Sequence, residues 1–257
     1  MRRSRNQTAR DYRRALVTRH MDRSAAAEAY RVVRTGLLLS SDEPPGSILF
    51  TSPLSGEGKS VTCANIAVVL AKSNRSTVVL DADLRIPTQH KIFDVEPSTY
   101  ALELQENPGM GSDPKALARW SRDIAPNLTI IPAGPPPSAP SELVESKAFY
   151  DLLATLTDKF DFVLIDSPPV GVVTDAAILA SRVDGVLLVL DYKQANRRIA
   201  KRAISALEAV DANILGAVLN KYPIKHSEYG GAYTDQHYYS TENTEDTPLA
   251  VRDSRPH

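Results

Sequence analysis

SILFTSPLSGEGKS, residues 47–60, is the stretch whose reading decides the fold. SILFT (47–51) is a short apolar run and reads as a buried strand. SPLSGEGK follows as a glycine-containing loop, and SVTCANIAVVLAK (60–72) reads as a helix. Strand, loop, Gly58-Lys59-Ser60 and helix, in that order, make a phosphate-binding loop. Glycines let backbone amides turn toward phosphate oxygens, and the helix N-terminus adds a positive dipole. Lys59 can reach the β- and γ-phosphates of a nucleotide, and the Ser60 hydroxyl can ligate Mg²⁺. The one departure from GxxxxGK[ST] is Pro53, which stands where the first glycine would be.

Outward from this loop, apolar strands alternate with helical stretches. Strands are expected in STVVLDADLR (76–85), LTIIPAG (128–134), FDFVLIDSPP (160–169), GVLLVLD (185–191) and ILGAVLN (214–220). Helices are expected from Ser24 to about Leu39, around Thr99–Leu104 and Asp113–Trp120, and over Lys147–Thr157, Thr174–Ser181 and Arg197–Ala209. Such alternation means βαβ units. Runs such as FVLI and VLLVL are apolar without alternation, which fits a parallel sheet covered on both faces. The expected fold is α/β, a doubly wound and mostly parallel sheet.

Composition excludes several classes. Over 257 residues, 42% are hydrophobic and 24% charged, ordinary globular usage, so disorder of the whole chain is not expected. The net charge of −1 leaves no global basic footprint for nucleic acid. One cysteine, Cys63, excludes an internal disulfide framework and a cysteine-only metal site, and favours a reducing, cytoplasmic setting. No apolar run approaches the ~18 residues needed to span a bilayer. Residues 1–23 hold eight arginines against two aspartates and read as a basic arm. Such an arm suits anionic lipid, an acidic partner, or a solvated leader. A domain over 24–222 and a polar, mobile tail over 223–257 complete the expected organisation.

A phosphate loop with a metal needs carboxylates. Asp166 ends an apolar strand, where a Walker B carboxylate reaches Mg²⁺. Asp81 and Asp83 lie two apart at another strand end, a spacing that points both to one side. Two like charges there call for a cation, or for a substrate hydroxyl that gives up its proton. Arg85 suits contact with phosphate or with a neighbouring subunit.

TSPLSGEGKS, VVLDADLRIP and FVLIDSPP resemble the Walker A, A′ and B boxes of the bacterial tyrosine kinases, the BY-kinases. The likeness is to the CpsD/CapB-type cytoplasmic autokinases of capsule and exopolysaccharide assembly, within the ParA/MinD-like P-loop NTPases. AEAYRVVRTGL (27–37), PAGPPPSAPSELVES (132–146), VTDAAILA (173–180) and GAVLNK (216–221) also look like segments of that family. The resemblance implies ATP and Mg²⁺ as cofactors, with nucleotide contacts at Ser55, Gly56, Glu57, Gly58, Lys59, Ser60, Val61 and Asn220. It implies Asp81 as base toward a tyrosine hydroxyl, and Ser60, Asp83 and Asp166 at the metal.

Five of the ten tyrosines (222, 229, 233, 238, 239) fall within 18 residues near the C-terminus. A polar tail buries nothing, so core packing does not explain them. The resemblance marks Tyr229, Tyr233, Tyr238 and Tyr239 as autophosphorylation sites. It also matches Glu28, Arg31 and Arg34 to an ExxRxxR pattern that implies a ring-like homo-oligomer. The bland alternative is an intrahelical Glu–Arg pair. Further implied partners are a transmembrane activator (a polysaccharide co-polymerase acting in trans) and a cognate tyrosine phosphatase. The implied location is the inner face of the plasma membrane, with no nucleic acid involved. The rival is a ParA/MinD-type ATPase switch, or a scaffold without significant kinase activity. Such switches carry a signature lysine where this chain has Leu54, and they lack a terminal tyrosine cluster. An iron–sulfur carrier of the same superfamily needs paired cysteines.

Overall fold

The computed structural model describes residues 14–39 and 44–223. One compact unit runs to Tyr222, and a second unit begins at Pro223. The first unit is built on seven strands: β1 (Ser47–Thr51), β2 (Thr77–Asp81), β3 (Arg122–Ala125), β4 (Leu128–Ile131), β5 (Phe162–Asp166), β6 (Gly185–Asp191) and β7 (Ile214–Asn220). They form one sheet in the order β3-β4-β2-β5-β1-β6-β7. All neighbours are parallel except β3 and β4. β1, which leads into the phosphate loop, lies between β5 and β6.

Both faces of the sheet are covered, as the unalternating strands demand. Leu49 of β1 and Val163 and Ile165 of β5 join one core, with Phe149, Leu152, Trp120 and Leu207. Ile48 and Phe50 of β1 and Phe162 and Leu164 of β5 join the other, with Ile66, Leu70 and Leu37. Period-two geometry sends successive side chains to opposite cores. The P-loop helix, Lys59–Lys72, is buried nearly all round. That fits its lack of an amphipathic stripe.

The amino-terminal helix spans Ala25–Leu38, and its Ser24 cap accepts a hydrogen bond from the Ala27 amide. Residues 15–22, expected within a separate basic arm, instead pack on the P-loop helix. Leu16 and Thr18 are fully buried. The Thr18 amide and hydroxyl donate to Asn65 Oδ1 at 3.1 and 2.8 Å, and Asn65 Nδ2 donates to the Ala15 carbonyl at 2.8 Å. Buried polar groups so paired hold the segment in place. Residues 1–13 of the expected arm lie outside the described residues, as do Tyr229, Tyr233, Tyr238 and Tyr239.

Candidate active site

The site lies where β1, β2 and β5 end, beside the start of the P-loop helix. Gly56 and Gly58 have positive φ, 80° and 95°. A Cβ on Gly58 would come within 2.0 Å of Asn220 Nδ2. Glycine is therefore required there twice over, by conformation and by space. Asn220 Nδ2 donates to the Glu57 carbonyl at 3.0 Å. The expected nucleotide residue at the end of β7 thus meets the loop directly. Among the described residues, the amides of Gly56, Gly58, Lys59, Ser60 and Val61 make no backbone hydrogen bond. Free amides at a helix start are what a phosphate needs. Ser55 and Gly56 are exposed at the loop's crest.

Glu57 is buried and works inside the loop. Its carboxylate accepts from the Leu54 amide at 2.7 Å and from the Asp191 amide at 3.3 Å. Lys221 Nζ donates to the Gly56 carbonyl at 2.6 Å and to Asp191 Oδ2 at 2.7 Å. Lys221 holds the Asp191 carboxyl below its ordinary range. The ends of β6 and β7 are in this way tied to the phosphate loop. Sequence reasoning found Asn220 but not Lys221, Asp191 or the internal role of Glu57, because contacts across a loop leave no spacing signature. Tyr222 stacks edge-on against Tyr192, with ring centroids 4.7 Å apart.

Three buried carboxylates gather round Lys59. Its Nζ lies 2.7 Å from Asp83 Oδ2, 3.4 Å from Asp166 Oδ1 and 3.2 Å from Ser60 Oγ. Burial opposes the ammonium, but Asp166 and Asp83 outweigh it and hold Lys59 charged. Asp81 pairs in register with Asp166 across β2 and β5. Burial first, and then the Asp166 charge, push Asp81 well above the ordinary carboxylate range. Burial likewise raises Asp166, against the pull of Lys59.

β2 ends at Asp81, so the strand spacing that put Asp81 and Asp83 on one side does not extend to Asp83. The two still serve one site, by different routes. Asp83 Oδ2 meets Lys59 while its Oδ1 accepts from the Ile86 amide. Asp81 Oδ2 accepts from the Thr88 and Gln89 amides at 3.1 and 2.9 Å, whereas its buried Oδ1 has no partner.

Gln89 is a site residue that the sequence did not reveal. Its Nε2 donates to Asp166 Oδ2 at 2.9 Å and to the Ser60 carbonyl at 3.0 Å. A lone glutamine in a short helix, Gln89–Phe93, carries no motif signal. Arg85, read as a contact to phosphate or a neighbour, pairs within the chain. It donates to Asp175 at 2.9 and 3.1 Å and to Ser141 at 2.8 Å. Cys63 is fully buried in the core.

The family model described as ParA, NUBPL iron-transfer P-loop NTPase, matches residues 46–246. CapB of Staphylococcus aureus is 38% identical over 209 residues, covering 80% of this chain and 90% of that protein. The tyrosine-protein kinase YwqD of Bacillus subtilis is 34% identical over 229 residues, covering 86% and 89%. The chain belongs to the bacterial tyrosine kinases. The crystal structure of the chimerical protein CapA2B2 superposes on this kinase with a TM-score of 0.74 at 33% identity, covering 81% of this chain and 90% of that one. Membership of the P-loop NTPases implies that the chain binds a nucleotide. The iron-transfer description finds no cysteine pair in this kinase, whose single Cys63 is buried.

Glu28 and Arg31 of the oligomerisation pattern pair with each other at 2.7 Å, and Arg31 also reaches Asp22 at 2.6 Å. The buried Arg34 Nε has no partner among the described residues. Among those residues, no helix is long and apolar enough to cross a membrane.

Proposed function

We propose that this kinase transfers the γ-phosphoryl group of ATP to tyrosines of its own C-terminal segment, in the service of capsular or exopolysaccharide assembly. The convergence of Asp81, Asp83 and Asp166 on Lys59, beside free loop amides, carries this reading. Phosphoryl transfer is mostly positioning and charge neutralisation, so these groups suffice.

The phosphate-loop amides and Lys59 take the β- and γ-phosphates. Lys59 must leave Asp83 to do so, which frees a carboxylate and needs another cation. One ammonium faces three buried carboxylates, and Asp81 Oδ1 is unpaired. That oxygen-rich, charge-deficient set fits Mg²⁺, with Ser60, Asp83 and Asp166 to hold it. When bound, Mg²⁺ would supply charge neutralisation at the phosphates. The phenol oxygen of the acceptor attacks the γ-phosphorus, the bond from that phosphorus to the β–γ bridging oxygen breaks, and ADP leaves. Asp81 takes the phenol proton on Oδ1, its oxygen without a partner. A raised affinity for protons suits a carboxylate to that task.

The acceptors are Tyr229, Tyr233, Tyr238 and Tyr239, phosphorylated by a neighbouring subunit. A homo-oligomeric ring formed through Glu28, Arg31 and Arg34 would raise their local concentration at the next site. Each phosphate adds about −1.5 to −2 charges, so the phosphorylated tails repel and loosen the ring. A transmembrane polysaccharide co-polymerase in trans would recruit the cytoplasmic kinase to the inner membrane face, and a tyrosine phosphatase would reset it.

The test mixes two chains with Mg·ATP: Lys59→Met with an intact tail, and an active chain with Phe at the four tail tyrosines. Phosphotyrosine found by mass spectrometry on the Lys59→Met chain supports transfer between subunits. Its absence, while wild type labels normally, rejects it. An ATPase switch or scaffold would leave wild type unlabelled.

A further inference from the structure

Residues 192–202 read YKQANRRIAKR, with five cations and no acid. They lead from β6 into the helix Arg197–Glu208, whose sole acid is its last residue. Ala203 and Leu207 of this helix are buried, whereas Arg197, Arg198, Lys201 and Arg202 are exposed. Among the described residues, none of these four side chains has a hydrogen bond or ion pair.

This arrangement works against the helix. Cations at a helix N-terminus oppose its dipole. Arg197 with Lys201, and Arg198 with Arg202, are like-charge i,i+4 pairs that repel. Fold stability does not account for four uncompensated cations in the first two turns. An anionic partner does.

The shape of the patch narrows the class. The cations line a shallow, open depression of about 780 Å³ together with Asn196 and Ser205. No apolar side chain lines it to grip a peptide. Arg197 and Arg202 are about 7.5 Å apart along the axis, so the cations spread over a surface and do not close on one phosphate. Where this segment begins, Tyr192 is exposed and packs edge-on against the equally exposed Tyr222, with Leu219 of β7 also exposed. Exposed cations and an exposed aromatic ring in one segment suit a membrane interface.

We propose that the face of Arg197, Arg198, Lys201 and Arg202 docks on an anionic lipid headgroup layer. This contact belongs to the kinase domain itself. It is separate from the arginines of residues 1–23, and it does not depend on tyrosine phosphorylation.

The test is co-sedimentation of the full chain with phosphatidylcholine vesicles, with and without phosphatidylserine, at ionic strengths of about 0.05 and 0.15 M. Wild type should bind only the phosphatidylserine vesicles, more weakly at the higher salt. Arg197→Gln/Arg198→Gln/Lys201→Gln/Arg202→Gln, with the amino-terminal arginines intact, should bind at least about tenfold more weakly. The double variants Arg197→Gln/Arg198→Gln and Lys201→Gln/Arg202→Gln should each lose part of the binding, with unchanged thermal melts. Binding of the quadruple variant equal to wild type overturns the proposal. So does wild-type binding that ignores phosphatidylserine. Dependence on the four cations for a phosphotyrosyl peptide or duplex DNA, but not for vesicles, also overturns it.

Discussion

Lys59 and Asp83 form a buried ion pair, Nζ to Oδ2 at 2.7 Å, with Asp166 Oδ1 3.4 Å from the same ammonium. The lysine proposed for phosphate stands among the carboxylates proposed for a metal. Each nucleotide that binds must therefore exchange one set of charge pairs for another, and this exchange links catalysis to stability.

Removing the Lys59 charge should show both consequences. Lys59→Met should abolish tyrosine phosphorylation. It should also leave Asp83 and Asp166 without their cation and lower the stability of the nucleotide-free protein. Breaking a buried pair from one side costs about 3–5 kcal/mol, and proton uptake by Asp166 sets the lower end. Radiolabel transfer and thermal melting check the two arms. Unchanged stability would mean that Lys59 is not paired in the free protein.

Asp81 gives a pH signature of definite sign. Burial and the Asp166 charge raise its folded proton affinity above the usual 3.8. The protonated form is favoured in the fold, so stability falls as pH rises past 3.8 and stops falling once the raised folded value is passed. Asp81→Asn should remove that slope, because its side chain carries no titratable charge. Nucleotide affinity should stay within a few fold of wild type while phosphorylation is lost. Denaturant melts across pH, with Asp83→Asn as comparison, test this. Full activity in Asp81→Asn would move the proton acceptor to Asp83.

Gly58→Ala should destroy the phosphate site with little effect on the core. Its Cβ would lie 2.0 Å from Asn220 Nδ2, and φ is 95°. Nucleotide affinity should fall by about tenfold or more, since the side-chain clash and the backbone strain add. Strain of this kind costs about 1–3 kcal/mol. Calorimetric titration with nucleotide checks this, and affinity equal to wild type would overturn it.

The central strands and their helices were legible because their apolar runs are long and bounded by breakers. Lys147–Thr157, Gly185–Asp191 and Ile214–Asn220 fall where the sequence puts them. β3, Arg122–Ala125, was not legible. Its four residues are half polar, and pairing with β4 alone makes them a strand. Leu16 and Thr18 were hidden by the arginines around them, although both are buried on the P-loop helix. At the site, Lys59, Ser60, Asp81, Asp83, Asp166 and Asn220 were marked by motif position. Gln89, Lys221 and the Arg85–Asp175 pair depend on chain folding far from any motif, so no local pattern announces them.

The amino-terminal helix separates local from intermolecular roles. Arg31 is satisfied within the chain by Glu28 and Asp22, and Asp22 also takes Lys72 at 3.0 Å. These groups are partly exposed, so each pair is worth at most about 1 kcal/mol. Arg34 differs, because its buried Nε has no partner among the described residues. A buried donor left unsatisfied is costly, and an acceptor from a neighbouring subunit would relieve it. Arg31→Ala should therefore lower the melting temperature by a few degrees, whereas Arg34→Ala should leave it unchanged and shrink the oligomer. Light scattering of the unphosphorylated protein reads the second effect and thermal melting the first. Full-sized assemblies from Arg34→Ala would remove Arg34 from the subunit contact and return the ExxRxxR pattern to an intrahelical role.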